Sequence, residues 1–319
     1  MDRTIVSIGC SSDADYNFPL PITCLLWSEV VGYRPLVMLV GSDEEWRQSR
    51  RLAVALEALL HLGFPPVFLG RIEGYPDGTL AQSCRQHAAA LSWIGDNDWL
   101  MPADADLWPL RRQFYHQHEG TKHRAVLYYG NGDHFGGKAA TLERAAAGLR
   151  SQTIPTCHAT MRARDWRAIY RPIAGDIAAS VKQSLDAWLP TKSNDPDPNM
   201  TLWMADQQLL TDALCQQPWF PDTRLDDRNE FGAIKATTLD QSVLFITRRG
   251  HPPVDRLCRS DRNWPPFDVQ HGWTDAHIFK APDSEEPWSH EVQLIDALLP
   301  KHSEWARSYR SAYAEARDS

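Results

Sequence analysis

The sequence predicts an α/β protein: a mostly parallel sheet flanked by helices, with an irregular cover and a helical stretch toward the C-terminus. Three observations carry this. Apolar runs of strand length alternate with helix-length amphipathic segments through the N-terminal half. One of those runs, Pro35-Leu36-Val37-Met38-Leu39-Val40-Gly41, is continuously apolar, as a strand buried on both faces requires. Another, Trp99-Leu100-Met101, ends in Asp104-Ala105-Asp106, which puts two acids where ligands gather on parallel sheets, at a strand's carboxyl end.

Taken in order, Thr4 to Ile8 is a β-rich opening run and Pro21 to Val31 reads as helix. After Gly41, Ser42 or Asp43 caps a helix whose stripe is Leu52, Leu56, Leu59 and Leu60. Pro66 to Ile72 is the next strand, Thr79 to Ile94 the next helix, and Trp99 starts the strand that delivers the acids. Ala125 to Tyr129 is a further strand closed by the turn Gly130-Asn131-Gly132, and Ile154 to Met161 is expected to be another. Asp165 to Leu189 is largely helical, Thr191 to Asn199 is a polar, proline-bearing loop, and Trp203 to Cys215 is helix. From Gln217 to Pro287 only Val243 to Thr247 is clearly strand-like, so this region is expected to wrap the sheet or cover its ligand. Trp288 to Ala316 is helical, interrupted near Pro300. The expected division is one domain over residues 1–285 and a helical extension over 286–319.

With 319 residues, 43% of them hydrophobic, the chain can bury a full core. A net charge of -8 and a pI near 5.8 argue against bulk nucleic-acid binding. No stretch reaches the roughly 18 apolar residues of a membrane span, and the N-terminus lacks a signal-peptide layout. The six cysteines are scattered with no C-x-x-C pair, so reduced thiols in the cytoplasm are the expectation. Thirteen tryptophans are many for this length; most are expected to pack in the core, and some could be platforms for sugar rings, because flat aromatic faces suit them, though composition does not say which.

Two carboxylates one residue apart at the end of an apolar strand are costly unless something cationic compensates. A divalent metal carrying phosphates meets that need, because hard cations take oxygen ligands and keep positions open for water and phosphate. The rival reading is two solvated acids in a turn; the apolar strand before them and Trp108-Pro109-Leu110 after them favour the metal.

The order of motifs resembles the GT-A glycosyltransferases, nucleotide-sugar-dependent enzymes with one Rossmann-like α/β domain and an Asp-x-Asp metal motif. The matching pieces are the loop with Asp13, Asp15 and Tyr16 after the first strand, the helix Thr79 to Arg85, the acidic pair, Trp203-Met204-Ala205-Asp206-Gln207-Gln208, and Asp275-Ala276-His277. The Asp206-Gln207 helix start is similar to that of glycogenin-like retaining enzymes, and the overall pattern to a rhamnosyltransferase domain of viral type. The resemblance spans roughly residues 1–285.

It implies a sugar transfer, with retention, from a nucleotide diphosphate sugar to a glycan or other hydroxyl acceptor, as in polysaccharide biosynthesis. UDP is the implied nucleotide, and manganese or magnesium the metal. The implied metal ligands are Asp104, Asp106 and His277, with Asp106 and His277 direct and Asp104 near ribose or metal-bound water. Asp13, Tyr16, Arg85 and Asp104 would hold the donor, and Asp206 with Gln207 would line the reacting centre. His134, His251 and His271 are rivals to His277, since any one histidine is more often a packing or surface residue.

Three other readings compete. A nucleotide-sugar-forming nucleotidyltransferase would open with a glycine-rich phosphate loop and a basic residue, but Gly9-Cys10-Ser11-Ser12-Asp13 stands there. A haloacid-dehalogenase-type phosphatase would carry its Asp-x-Asp on the first strand, not centrally. A non-catalytic carbohydrate-binding protein would have no use for the acidic pair and Asp206.

Overall fold

Seven strands hydrogen-bond into one sheet, and the residues facing each side of it are apolar for the same reason: helices cover both faces. The structure, a computed structural model, describes residues 3–128, 137–151, 153–221, 242–246, 256–258, 264, 272–279 and 283–316. The turn at 130–132, the histidines 134, 251 and 271, and most of the weakly patterned segment 217–287 lie outside the described residues.

In chain order the elements are β1 (Thr4–Cys10), α1 (Ala14–Asn17), α2 (Leu20–Leu25), β2 (Arg34–Val40), α3 (Asp43–Gln48), α4 (Arg50–His61) and β3 (Val67–Leu69). Next come α5 (Asp77–Cys84), β4 (Trp99–Ala103), β5 (Leu107–Pro109), α6 (Arg112–Tyr115), β6 (Ala125–Tyr128), α7 (Lys138–Ala146) and β7 (Ala159–Arg162). Then follow α8 (Ala163–Tyr170), α9 (Ile177–Trp188), α10 (Pro198–Trp203), α11 (Ala205–Cys215) and β8 (Val243–Ile246). The last are β9 (Arg256–Cys258), β10 (Asp275–His277), α12 (Glu285–Leu298) and α13 (Ser303–Glu315).

The main sheet runs β3-β2-β1-β4-β7-β6-β8. Its neighbours are parallel except around β7, which is antiparallel to both β4 and β6. Order reverses at β1, which lies between β2 and β4, and this opens a crevice at the carboxyl ends of β1 and β4. A second, small sheet, β5-β10-β9, stands at that end.

Alternation within the strands splits the core in two. Val6, Ile8, Val37 and Leu39 join one cluster, with α2, α4, α12 and α13 packed on it. Ile5, Leu36, Met38 and Val40 join the other, under α5, α8, α9 and α11. The C-terminal helices expected as an extension begin at Glu285 and belong to the first cluster through Trp288, Leu294, Ile295, Tyr309 and Tyr313. They also fasten the loop after β1: the Tyr309 hydroxyl donates to the Phe18 carbonyl at 2.9 Å and the Tyr313 hydroxyl to Asn17 Oδ1 at 2.6 Å.

Several expected elements are shorter than their sequence signal. The helix after Ser42 is two helices: Ser42 and Glu45 form a capping box, and Ser49, with ψ 127°, breaks the run before α4. Leu60, expected in the buried stripe, is 42% exposed, because Leu59 already fills the core side. Only Val67–Leu69 of the run 66–72 pairs with β2. The strand expected over 154–161 begins at Ala159, because His158 sits at φ 70° and cannot extend it. The segment 191–199 is only partly loop, since Leu189–Lys192 makes a tight 3-10 turn and Pro198 already starts α10. The helix after Thr79 tightens to a 3-10 turn over Arg85–Ala90. Cys10, Cys24, Cys84 and Cys157 form no disulfide, and no described helix is long and apolar enough to cross a membrane.

Candidate functional site

The crevice at the ends of β1 and β4 is a cleft of about 450 Å³. It is lined by Asp13, Tyr16, Arg85, Asp104, Asp106, Asp206, Gln207 and His277 together, so all eight residues singled out from sequence meet in one place. They come from five separate segments: the loop after β1, the end of α5, the end of β4, the start of α11 and the end of β10.

Each segment has a local reason to be there. Gly9 lets α5 touch β1: a Cβ at this position would sit 1.9 Å from the Ala81 carbonyl oxygen. The Ser7 hydroxyl then donates to the Arg85 carbonyl at 2.8 Å, fixing the end of α5 against the strand. Asp13 caps α1 by accepting from the Asp15 N–H. After β4 the chain turns through Asp104-Ala105-Asp106 into β5, and the Thr23 hydroxyl donates to the Ala105 carbonyl at 2.5 Å. Antiparallel pairing of β10 with β5 sets His277 opposite Leu107, next to the second acid. The Ile278 N–H donates to the Asp106 carbonyl at 3.1 Å and extends that pairing by one bond.

The acids divide into two groups. Asp106, 3% exposed, lies 3.2 Å from His277 Nε2. Asp104 and Asp206 instead share Arg85. Arg85 is only 4% exposed; Nη1 donates to Asp104, Nη2 donates to Asp206 Oδ2 at 2.8 Å, and Nε donates to the Gln82 carbonyl at 2.9 Å. Burial pulls the guanidinium pKa down, but the two carboxylates outweigh it and hold the pKa above its ordinary value. Burial likewise pushes Asp104 up, yet Arg85, with help from His277 and His158, holds it below the usual carboxylate range. For Asp206 burial wins: its pKa is raised, with Arg85 opposing and Asp104 adding to the rise. One arginine thus balances two acids, and the more deeply buried acid is left the easier to protonate.

This arrangement bears on two expectations. Asp104, expected near the ribose or metal-bound water, has its carboxylate held by Arg85. Among the described residues no three histidine, cysteine, aspartate or glutamate side chains cluster as metal ligands, so Asp106 and His277 stand as an adjacent pair. Asp206, expected at the reacting centre, lines the cleft but is 3% exposed and committed to Arg85. Its neighbour Gln207 accepts from the Thr153 hydroxyl at 2.9 Å.

Three residues named only within motifs were given no role at the site: Gly9, Gln82 and Trp203. Gly9 appeared in the sequence only in the stretch Gly9-Cys10-Ser11-Ser12-Asp13 after the opening run. Gln82 and Trp203 line the cleft with the rest. No protein-family model matches this chain, and no curated protein matches it.

Proposed function

We propose that the cleft binds a nucleoside diphosphate sugar and that the protein is a metal-dependent glycosyltransferase of the GT-A type. The observation that carries this is the meeting of the Asp106–His277 pair, a buried arginine and the Asp13–Tyr16 loop in one cleft at the carboxyl ends of parallel strands.

Transfer breaks the bond between the anomeric carbon and the diphosphate oxygen and leaves negative charge on that oxygen. Positive charge near it lowers the barrier. A carboxylate and an imidazole in contact make a donor pair suited to manganese or magnesium, with other positions left to water and phosphate oxygens. Asp106 and His277 would hold the ion, and Asp104 would join them only by leaving Arg85. A bound cation supplies charge to the diphosphate as it departs.

The remaining work belongs to side chains already in place. Arg85 offers a guanidinium fork that matches phosphate oxygens as well as it matches the two carboxylates it now bridges. The Ser11–Tyr16 loop supplies a ring and polar groups for the nucleoside, and UDP is the proposed base and phosphate combination. Gln82, Asp206 and Gln207 line the sugar end. Asp206 acts there by holding Arg85, with its own carboxylate spent on that pair.

Calorimetry with UDP tests the reading. Binding should require manganese, disappear with chelator, and fall at least tenfold in both Asp106→Asn and His277→Ala. The two substitutions combined should cost little more than either alone, since each removes the same ion. Equal binding of UDP in excess chelator would sink the metal claim, and tighter binding of GDP or CMP would sink the choice of base.

A further inference from the structure

We propose that Trp203 is a stacking platform for a pyranose ring at the mouth of the cleft. Trp27, Trp46, Trp108 and Trp166 are fully buried and serve packing. Trp93, 42% exposed, and Trp203, 48% exposed, instead face solvent. The Trp93 ring is already faced by the Arg34 guanidinium, 5.2 Å from its centroid. Trp203 is the one of the two that lines the cleft.

Its placement is fixed rather than incidental. Asp197 caps α10 by accepting from the Met200 N–H, and Pro198 starts the helix. The Thr79 hydroxyl donates to the Leu202 carbonyl at 3.2 Å, which ties the end of α10 to α5. Gly78 lines the cleft beside the ring, and a Cβ there would come 3.9 Å from Trp203 Cζ3, in ordinary van der Waals contact. Met200, three residues earlier and so on the same helix face, is also exposed and extends the apolar surface outward.

Polar groups share the cleft with this ring. Asp77, Gln82 and Gln207 line the same cleft. Gln82 Oε1 is buried without a hydrogen-bond donor, and a sugar hydroxyl would supply one. A flat indole in one cleft with carboxylate and amide groups fits a pyranose, whose C–H faces are apolar and whose rim is hydroxyl. The ring can belong to the donor or to the acceptor, and only the donor case rests on the glycosyltransferase reading.

The test uses wild type, Trp203→Ala and Trp203→Phe. Manganese with UDP and with UDP-glucose forms one arm. A panel of methyl glycopyranosides of glucose, galactose, mannose and rhamnose, read by saturation-transfer NMR and titration, forms the other. Because Trp203 is half exposed, the alanine variant should keep its melting temperature and its affinity for UDP. It should lose roughly tenfold in affinity for the sugar-bearing ligand, and phenylalanine should restore most of that. Loss of the extra affinity of UDP-glucose over UDP identifies the donor ring. Loss confined to a methyl glycoside identifies the acceptor ring. Unchanged affinity in both arms overturns the proposal, as does a wild type that binds no glycoside and prefers UDP-glucose no more than UDP. Wild type that binds glycosides but no UDP would remove the nucleotide reading, and the glycoside arm alone would then judge Trp203.

Discussion

Replacing Arg85 with methionine keeps the bulk of the side chain and removes its charge, so it isolates what the guanidinium does for the two acids. Asp104 is partly exposed and can be solvated. Asp206, 3% exposed, cannot. Removing one partner of a buried pair costs about 3–5 kcal/mol. Proton uptake by Asp206 caps that cost. From an unfolded value near 3.9, protonating it at pH 7 costs about 4 kcal/mol, and at pH 5 about 1.5 kcal/mol. Arg85→Met should therefore lose ~3–4 kcal/mol at pH 7 and ~1–2 kcal/mol at pH 5. The sign follows from the direction of the shift. In the variant Asp206 has a folded pKa further above its unfolded one, so its penalty is absent below the unfolded value and grows as pH rises. Urea unfolding of wild type, Arg85→Met and the double variant Arg85→Met/Asp206→Asn at both pH values measures this. The double variant should recover much of the loss and flatten its pH dependence. A gap under about 1 kcal/mol at pH 7, or one that widens toward acid, would show that Asp206 does not depend on Arg85.

Two further substitutions probe what surrounds the cleft. Gly9→Ala must push the α5 backbone away from β1, since its Cβ would lie 1.9 Å from the Ala81 oxygen; a loss of about 3 kcal/mol and weaker UDP binding are expected by denaturation and calorimetry, and a wild-type-like variant would refute the close approach. Glu291 is buried in α12, and burial pushes its carboxyl up to about 8, so stability is lost as pH rises from its unfolded value toward 8. Glu291→Gln should thus gain up to ~3 kcal/mol at pH 7 and almost nothing at pH 4.5; equal melting shifts at the two pH values would contradict it.

Much of this architecture was legible because burial on both faces of a parallel sheet writes itself as an apolar run. Residues 35–41 and 99–103 are such runs, and the acids that follow the second announced the crevice. His277 came from a motif match rather than from periodicity, and β-pairing between Leu107 and His277 puts it beside Asp106. The small sheet was illegible, since strands of three residues carry no period. The reversed strand β7 was misjudged in length because nothing in residues 154–158 marks the left-handed backbone at His158. The Arg85–Asp206 pair joins positions 121 residues apart, and no local pattern records a contact at that range. That distance is why the pairing of Asp206 with an arginine could not be read from the sequence.

The bonds from Tyr309 and Tyr313 to the loop after β1 have a consequence for biosynthesis. Asn17 leaves the ribosome 296 residues ahead of the tyrosine that anchors it. At roughly 5–20 residues per second, that interval is roughly 15–60 s. For that time the growing chain carries the Asp13–Tyr16 loop without its brace, and His277 joins the acids only shortly before the brace arrives. The nascent sheet can collapse early around its parallel strands while the cleft stays unfinished. Ligand binding is then a property gained at the end of translation of this region, and a pulse-labelled chain would acquire protease resistance before it acquires affinity for nucleotide.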